Sequence, residues 1–510
     1  MKKITKKIIC VLMALLMISS VSVFAFAGEQ EEYPNVYIHG LGPDLKSVNG
    51  KTVYPISVDA NKLVRDNLQP LLESIVLGEV TRDWKDCADL LLSIVEEIFS
   101  PMYFDEDGEP INLVGPMNNL SKVPAKKSDY GLSDYTFKYD WREDPVKIAD
   151  ELNDYINAVL AATEKEKVNI VAFSMGGCTT LAYLEKYGSE KIDTLVLHSS
   201  AHNGVLACGA PMAGKIDFNA DSIERYLDYY LENNSLFGDE TLDGLFGALV
   251  ILLEKVNTVG LASNVLDRFY KNLSELVMPQ LGLASVGTMP GIWSIISKEY
   301  YEDAKALAFS DKGDKYDAFI EKIDYYHNNV KIKADSILEE AKENGTKVCI
   351  VAKYGVPQIP LFDGCNSDGD GVIALHDQSL GATSADIDGV LSKTYISKAK
   401  AAGTEKYISG DKKIDASTCL FPDSTWFIKG LEHSNGGKFA DSIISALINK
   451  SAQPTIQDED TPDQFNFANE ETGILEPVKE EAAPKAESFF SVMFRFISLL
   501  FKYLFSMLQK

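Results

Sequence analysis

No two of the seven cysteines in this 510-residue chain stand in a C-x-x-C pair, which removes zinc-ribbon and thioredoxin-type readings. Basic residues are scarce too: 49 Lys and Arg face 75 Asp and Glu, leaving a formal net charge of −26. Such a surface repels phosphate backbones and anionic bilayers. It excludes nucleic acid as a partner and simple electrostatic adhesion as a route to membranes. Histidine is scarcer still, with six in the whole chain, so histidine-dependent chemistry has few positions to choose from. What remains, 45% hydrophobic and 24% charged, is ordinary globular material, long enough for one large domain with insertions or for two or three domains.

Long apolar runs occur at the two ends. Lys2, Lys3, Lys6 and Lys7 precede an apolar stretch from Ile8 to Phe24, and Ala25-Phe26-Ala27 stands before Gly28. That is the pattern of a secretory leader over 1–27, and it leads us to expect a secreted or cell-envelope protein. Cys10 goes with the leader. Of the six other cysteines, Cys178 and Cys349 fall on an expected helix and strand and read as small buried hydrophobes, while pairing among the rest is not fixed. At the other end, 451–487 is acidic and proline-bearing, which reads as a flexible linker. Residues 488–510 are apolar and aromatic, with Ser488, Ser491, Arg495, Ser498 and Lys502 recurring as a narrow polar stripe. Arg495 and Lys502 interrupt the run, so the expectation is an amphipathic surface helix touching a membrane or the cell envelope.

The stretch between, 28–450, is organised around Ser174. A short apolar run, Ile170 to Phe173, reads as a buried strand. The serine is hemmed in by Ala172, Gly176 and Gly177, and Thr179 to Tyr187 is a helical pattern closed by Gly188. Strand, tight turn with serine, then helix is the context of a nucleophile elbow. An idle serine in a strand-to-helix loop is the competing reading. Upstream, Asn35 to Ile38 is a strand running into His39-Gly40-Leu41-Gly42. The N–H groups of Leu41 and Met175 would together hold a developing negative charge.

Residues 43–133 show no clean βα repeat and read as an insertion beside the site. Helices are expected over 61–77 and 84–99, with a hairpin turn at Asp105 to Gly108. Tyr135 to Tyr139 is the next strand, and Asp144 followed by Pro145 marks a helix start. Further strands are expected at 194–198, 347–352 and 424–428, and a closing helix at 439–448. The alternation gives a parallel α/β sheet. Residues 205–345, with helices over 239–256, 263–277 and 292–307, form either a cap over an apolar pocket or a plain helical subdomain.

A nucleophilic serine needs a base and an acid, which in sheet enzymes of this kind follow in the order Ser, acid, His. His433 follows the last expected strand. His376 sits close behind the acid loop, His39 belongs to the oxyanion turn, His198 and His202 precede the cap, and His327 lies inside it. His433 is therefore preferred to His376 as the base. Asp363, Asp368 and Asp370 compete as the acid. The same loop admits a calcium alternative, because Asn366, Asp368, Asp370, Gly371, Ile373 and Asp377 fit positions of an EF-hand-type loop over 366–377. A strand rather than a helix precedes it, and position 12 is Asp rather than Glu. No other cofactor is implied.

Six segments, Tyr37 to Gly42, Tyr139 to Arg142, Ala172 to Gly177, Ser200 to Gly204, Gly369 to Ile373, and Leu431 to His433, resemble the α/β-hydrolase lipases. The likeness is to the lecithin:cholesterol acyltransferase-like and bacterial triacylglycerol lipase-like branch, and it runs over about residues 35–435. Tyr139-Asp140-Trp141-Arg142 is its most family-specific block. The resemblance implies an α/β-hydrolase fold, a mostly parallel sheet flanked by helices, with a large helical cap insertion. It selects Asp370, with Asp368 second, and implies a Ser174, Asp370, His433 triad with Leu41 and Met175 as oxyanion donors. Ala172 replaces the usual Gly, and Val372 stands where members often have Thr. The implied function is a secreted serine ester hydrolase of lipase or esterase type, acting on acyl esters, with lipids favoured. Alternatives are a lipid acyltransferase using the same residues and a non-catalytic envelope binding protein on the same fold.

Overall fold

The computed structural model describes residues 32–42, 44–56, 59–124, 135–215, 252, 255–256, 261, 263–358, 365–448 and 450–479. Among them, eight strands make one sheet: β1 (Asn35–Ile38), β2 (Tyr135–Phe137), β3 (Val168–Phe173), β4 (Ile192–His198), β5 (Lys347–Tyr354), β6 (Thr425–Lys429), β7 (Phe465–Asn469) and β8 (Ile474–Pro477). Their spatial order is β8-β7-β6-β5-β4-β3-β1-β2. Every neighbouring pair is parallel except the last hairpin, β7 with β8.

Both faces of the sheet are covered, which is why its central strands read as unbroken apolar runs rather than alternations. Ile170, Ala172, Leu195, Leu197, Val348 and Ile350 point to one layer, where helix α1 (Pro145–Thr163) adds Ile148, Leu152, Ile156 and Val159. Val171, Val196, Cys349 and Val351 point to the other, against Phe439, Ile443 and Leu447 of helix α3 (Gly437–Leu447). Helix α2 (Gly176–Tyr187) follows β3 directly and is buried along its first nine residues. Helix α1 starts as expected: the Asp144 side chain accepts a hydrogen bond from the Val146 N–H, and Pro145 opens the helix.

Two expectations are corrected. The stretch 451–487 is not a flexible linker through its length, since β7 and β8 complete the sheet. Composition hid them because Asn466 and Asn469 alternate with the apolar positions of an edge hairpin. The helix expected over 292–307 is broken into Pro290–Trp293 and Tyr301–Phe309. Tertiary contacts take over between them: the Val205 N–H donates to the Ile295 carbonyl at 2.8 Å, and the Ser297 backbone packs on Gly204. The hairpin turn expected at Asp105 to Gly108 is present: the Asp105 N–H donates to the Glu109 carbonyl at 2.8 Å, the Ile111 N–H to the Tyr103 carbonyl at 3.0 Å, and Phe104 pairs with Pro110. The leader 1–27, the cap helix over 239–256 in most of its length, and the segment 488–510 lie outside the described residues. Among the described residues no helix is long and apolar enough to cross a membrane.

Phe465 is buried on β7 and stacks on Phe427 of β6 with ring centroids 5.2 Å apart. Replacing a packed aromatic by alanine costs about 3–5 kcal/mol. We expect Phe465→Ala to lower the urea midpoint by a corresponding amount, whereas the same change in a free linker would leave the midpoint untouched.

Candidate active site

Ser174 sits between β3 and α2 with φ of 54°, a left-handed backbone that an L-residue adopts only under constraint. The constraint is visible. The Ser174 N–H donates to the His198 carbonyl at 3.1 Å, and its own carbonyl accepts from Gly177 at 3.0 Å and Ala201 at 2.9 Å. A β-carbon on Gly176 would fall 2.4 Å from the Ile38 carbonyl oxygen, and one on Gly177 would fall 1.8 Å from Ser200 Oγ. Glycine at both positions lets α2 begin pressed against β1 and the β4 turn. Ala172, paired with Ile38 across β1 and β3, is fully buried and fits where many such turns carry glycine.

The side chains expected to cooperate are together. Ser174 Oγ lies 2.9 Å from His433 Nε2, and His433 Nδ1 lies 2.7 Å from Asp370 Oδ2. The other oxygen, Asp370 Oδ1, accepts from the N–H groups of Val372 at 3.1 Å and Ile373 at 2.7 Å. The loops also join through the backbone, the His433 N–H donating to the Asp370 carbonyl at 2.8 Å. Since Asp370 takes the Nδ1 side, Nε2 faces Ser174 as the proton acceptor. Asp368 turns elsewhere, its Oδ1 accepting from the Gly355 N–H at 2.6 Å. His376 is exposed on the short helix Leu375–Gln378 and is not part of the cluster. Asp363 lies outside the described residues. Asp368 and Asp370, which also figure in the calcium alternative, hold different partners here. Among the described residues no three His, Cys, Asp or Glu side chains are grouped to hold a metal.

The turn after β1 lies against the serine, for a β-carbon on Gly40 would come within 2.6 Å of Ser174 Cβ. His39 fixes this turn. Its Nδ1–H donates to the Gly40 carbonyl at 2.6 Å, its ring stacks on Tyr139 at 4.4 Å, and the Tyr139 hydroxyl donates to the His39 carbonyl at 2.7 Å. In a trans peptide the Leu41 N–H points opposite to the Gly40 carbonyl, so the His39 bond also orients that donor. Burial pushes His39 down to about 4, and the ring is neutral near pH 7. Met175, the residue after Ser174, caps the start of α2 and is buried.

The block Tyr139 to Arg142 ties three regions to this turn. Arg142 is fully buried and forks onto Asp140 with contacts of 2.9 and 2.6 Å. It also donates to the carbonyls of Met102 and Asn112, and its own carbonyl accepts from the Gly291 N–H in the short helix Pro290–Trp293. Lys353 carries no functional reading in the sequence. It is buried near the end of β5, and its ammonium donates to the carbonyls of Glu432, His433 and Asn435. The one available signal was a lysine within the C-terminal end of an apolar strand.

A family model described as alpha/beta hydrolase fold matches residues 99–249, a span that contains Ser174. No curated protein matches the chain. Solved structures do. Meta-cleavage product hydrolase CumD from Pseudomonas fluorescens IP01, complexed with acetates, is 14% identical over 63% of this chain and 73% of its own, with a TM-score of 0.18. The Tle4–Tli4 complex is 13% identical over 64% of this chain and 75% of its own, with a TM-score of 0.24.

His39 gives a pH prediction. Its folded value, about 4, lies below the ordinary 6.5, so between those values the unfolded chain binds a proton that the folded chain does not. Stability contributed by the neutral ring is present above pH 6.5 and is lost as pH falls toward 4. A shift of this size corresponds to roughly 3 kcal/mol. Urea unfolding at pH 7 and pH 4.5 should show His39→Asn losing about 2–3 kcal/mol less than the wild type over that interval.

Proposed function

We propose that this chain, which has the α/β-hydrolase fold, is a serine ester hydrolase of the lipase or esterase type. The observation that supports it is the hydrogen-bonded line from Ser174 Oγ through His433 to Asp370, standing on loops after β3, β5 and β6 at the carboxyl edge of a parallel sheet. In this reading Ser174 attacks the acyl carbonyl while His433 Nε2 takes its proton. Asp370 holds Nδ1–H and stabilises the imidazolium as it forms. The N–H groups of Leu41 and Met175 receive the oxyanion. Collapse of the tetrahedral intermediate expels the alcohol, which takes the proton back from His433, and water then repeats the sequence on the acyl-enzyme.

The substrate we propose is an acyl ester with an apolar chain, supported by the Leu-, Ile-, Phe- and Tyr-rich sequence of 205–345. The leader pattern in 1–27 supports action outside the cytoplasm, and the stripe in 488–510 supports contact with a membrane or envelope surface. Transfer of the acyl group to an alcohol instead of water would use the same residues.

A fluorophosphonate probe tests the reading. It should label the wild type and fail on Ser174→Ala; equal labelling of both sinks the proposal. Asp370→Asn should lower kcat on p-nitrophenyl esters by on the order of 10³–10⁴, as loss of the orienting carboxylate does in serine enzymes. Across esters of graded chain length, kcat/KM should rise beyond the acetate. A profile highest at acetate would count against an apolar acyl site.

A further inference from the structure

We propose that Lys353 is a positioning residue that ties the acid-bearing loop through its main chain and locks the base-bearing loop through its side chain, the second only as an ammonium ion. The inference rests on the serine-hydrolase reading above and extends it. Its side chain reaches the loop of the base. Nζ donates to the carbonyls of Glu432 at 3.2 Å, His433 at 2.6 Å and Asn435 at 3.0 Å. Its backbone reaches the loop of the acid through Gln378, whose Oε1 accepts from the Lys353 N–H at 2.9 Å. Gln378 Nε2 in turn donates to the carbonyls of Lys353 at 3.0 Å and Ile373 at 2.9 Å. Ile373 is the residue whose N–H holds Asp370 Oδ1. One residue thus anchors both helpers of Ser174 to β5.

Three carbonyls match the three N–H bonds of an ammonium group. A neutral amine keeps two, and its lone pair would then face the third carbonyl in a site where Lys353 is 1% exposed. The groups around the ammonium are few. Asp370 faces it from the loop after β5, His433 from the loop after β6, His198 from the end of β4, and the Phe173 ring from β3 with its centroid 5.8 Å away. Asp370 attracts the charge, while burial opposes it more strongly and pushes Lys353 down to about 8. Deprotonation above that value would break one of the three bonds that hold the His433 loop and remove the positive charge that Asp370 faces.

The test measures the rate of Ser174 labelling by a fluorophosphonate, and kcat and KM for p-nitrophenyl butyrate, from pH 6 to 10 on full-length wild type and Lys353→Met. The wild type should lose labelling rate and kcat through an alkaline limb near pH 8. The variant should label about 100-fold more slowly at pH 7, the scale of a 1 Å misplacement, with KM changed by no more than about twofold. It should also lack the limb. A merely structural lysine would lower stability without removing a titration from the rate profile. A wild-type rate that is flat between pH 7 and 9.5, or a variant with the wild-type rate and limb, overturns the proposal. If Lys353→Met does not fold, the wild-type profile decides, with a limb near pH 8 supporting the ammonium and a flat profile overturning it. Absence of Ser174-dependent labelling in the wild type at every pH is a different failure. It removes the serine-hydrolase reading, and this inference with it.

Discussion

The Ile38 carbonyl oxygen occupies space within 2.4 Å of where a β-carbon on Gly176 would have to lie. Helix α2 can therefore start against β1 only because residue 176 has no side chain. Much of the site depends on that approach. It brings Ser174 to the turn that follows β1, so that Gly40 and Ser174 are separated by less than a methyl group. It also leaves the serine no room to relax its left-handed backbone, which hydrogen bonds from Gly177 and Ala201 hold from the other side. The cost of that conformation, of order 1–3 kcal/mol, is borne by a densely packed sheet with apolar layers on both faces.

Around this fixed serine the remaining parts come from distant segments, and each is tied by backbone atoms rather than by side-chain packing alone. Tyr139 holds the His39 carbonyl, and Arg142, two residues after Asp140, holds the carbonyls of Met102 and Asn112 while its own carbonyl receives the Gly291 N–H. The block that reads in the sequence as a family signature thus works as a clamp. It keeps the turn after β1, the 102–112 segment and the helix Pro290–Trp293 in register with one another.

How far the sequence disclosed this depends on whether the signal was local. Central strands, their order, and the small residues around Ser174 are local patterns, and burial on both faces makes them strong. Of the site, Ser174 and His433 could be reached by chain order, whereas Asp368 and Asp370 are two residues apart and each precedes a glycine. The resemblance ranks Asp370 first, and the fold separates the two by turning Asp368 toward the Gly355 N–H and Asp370 toward His433. The edge hairpin β7 and β8 was hidden by asparagines at strand positions. The break between Trp293 and Tyr301 was invisible because it answers to the Gly204 turn, almost a hundred residues earlier in the chain. Lys353 was missed because the expected strand stopped at Ala352, one residue short of it.

The chain carries a formal charge of −26, and its few buried basic side chains are used on backbone carbonyls. Arg142, Lys331 and Lys353 all lie within the described core, and each donates to main-chain carbonyls of a segment remote in sequence. A carbonyl is present at every residue, so a cation used this way secures a loop whatever side chains the loop carries. Lys331 and Lys353 thereby avoid the desolvation of a directly paired second ion, which makes buried ion pairs a doubtful source of stability, whereas Arg142 adds its carbonyl contacts to a pair with Asp140. The consequence is a division of labour. Apolar layers hold the sheet, glycine contacts set the serine, and buried cations join the separate loops. Because burial holds Lys331 and Lys353 near a value of about 8, the last of these three is the one that ordinary changes of pH can reach.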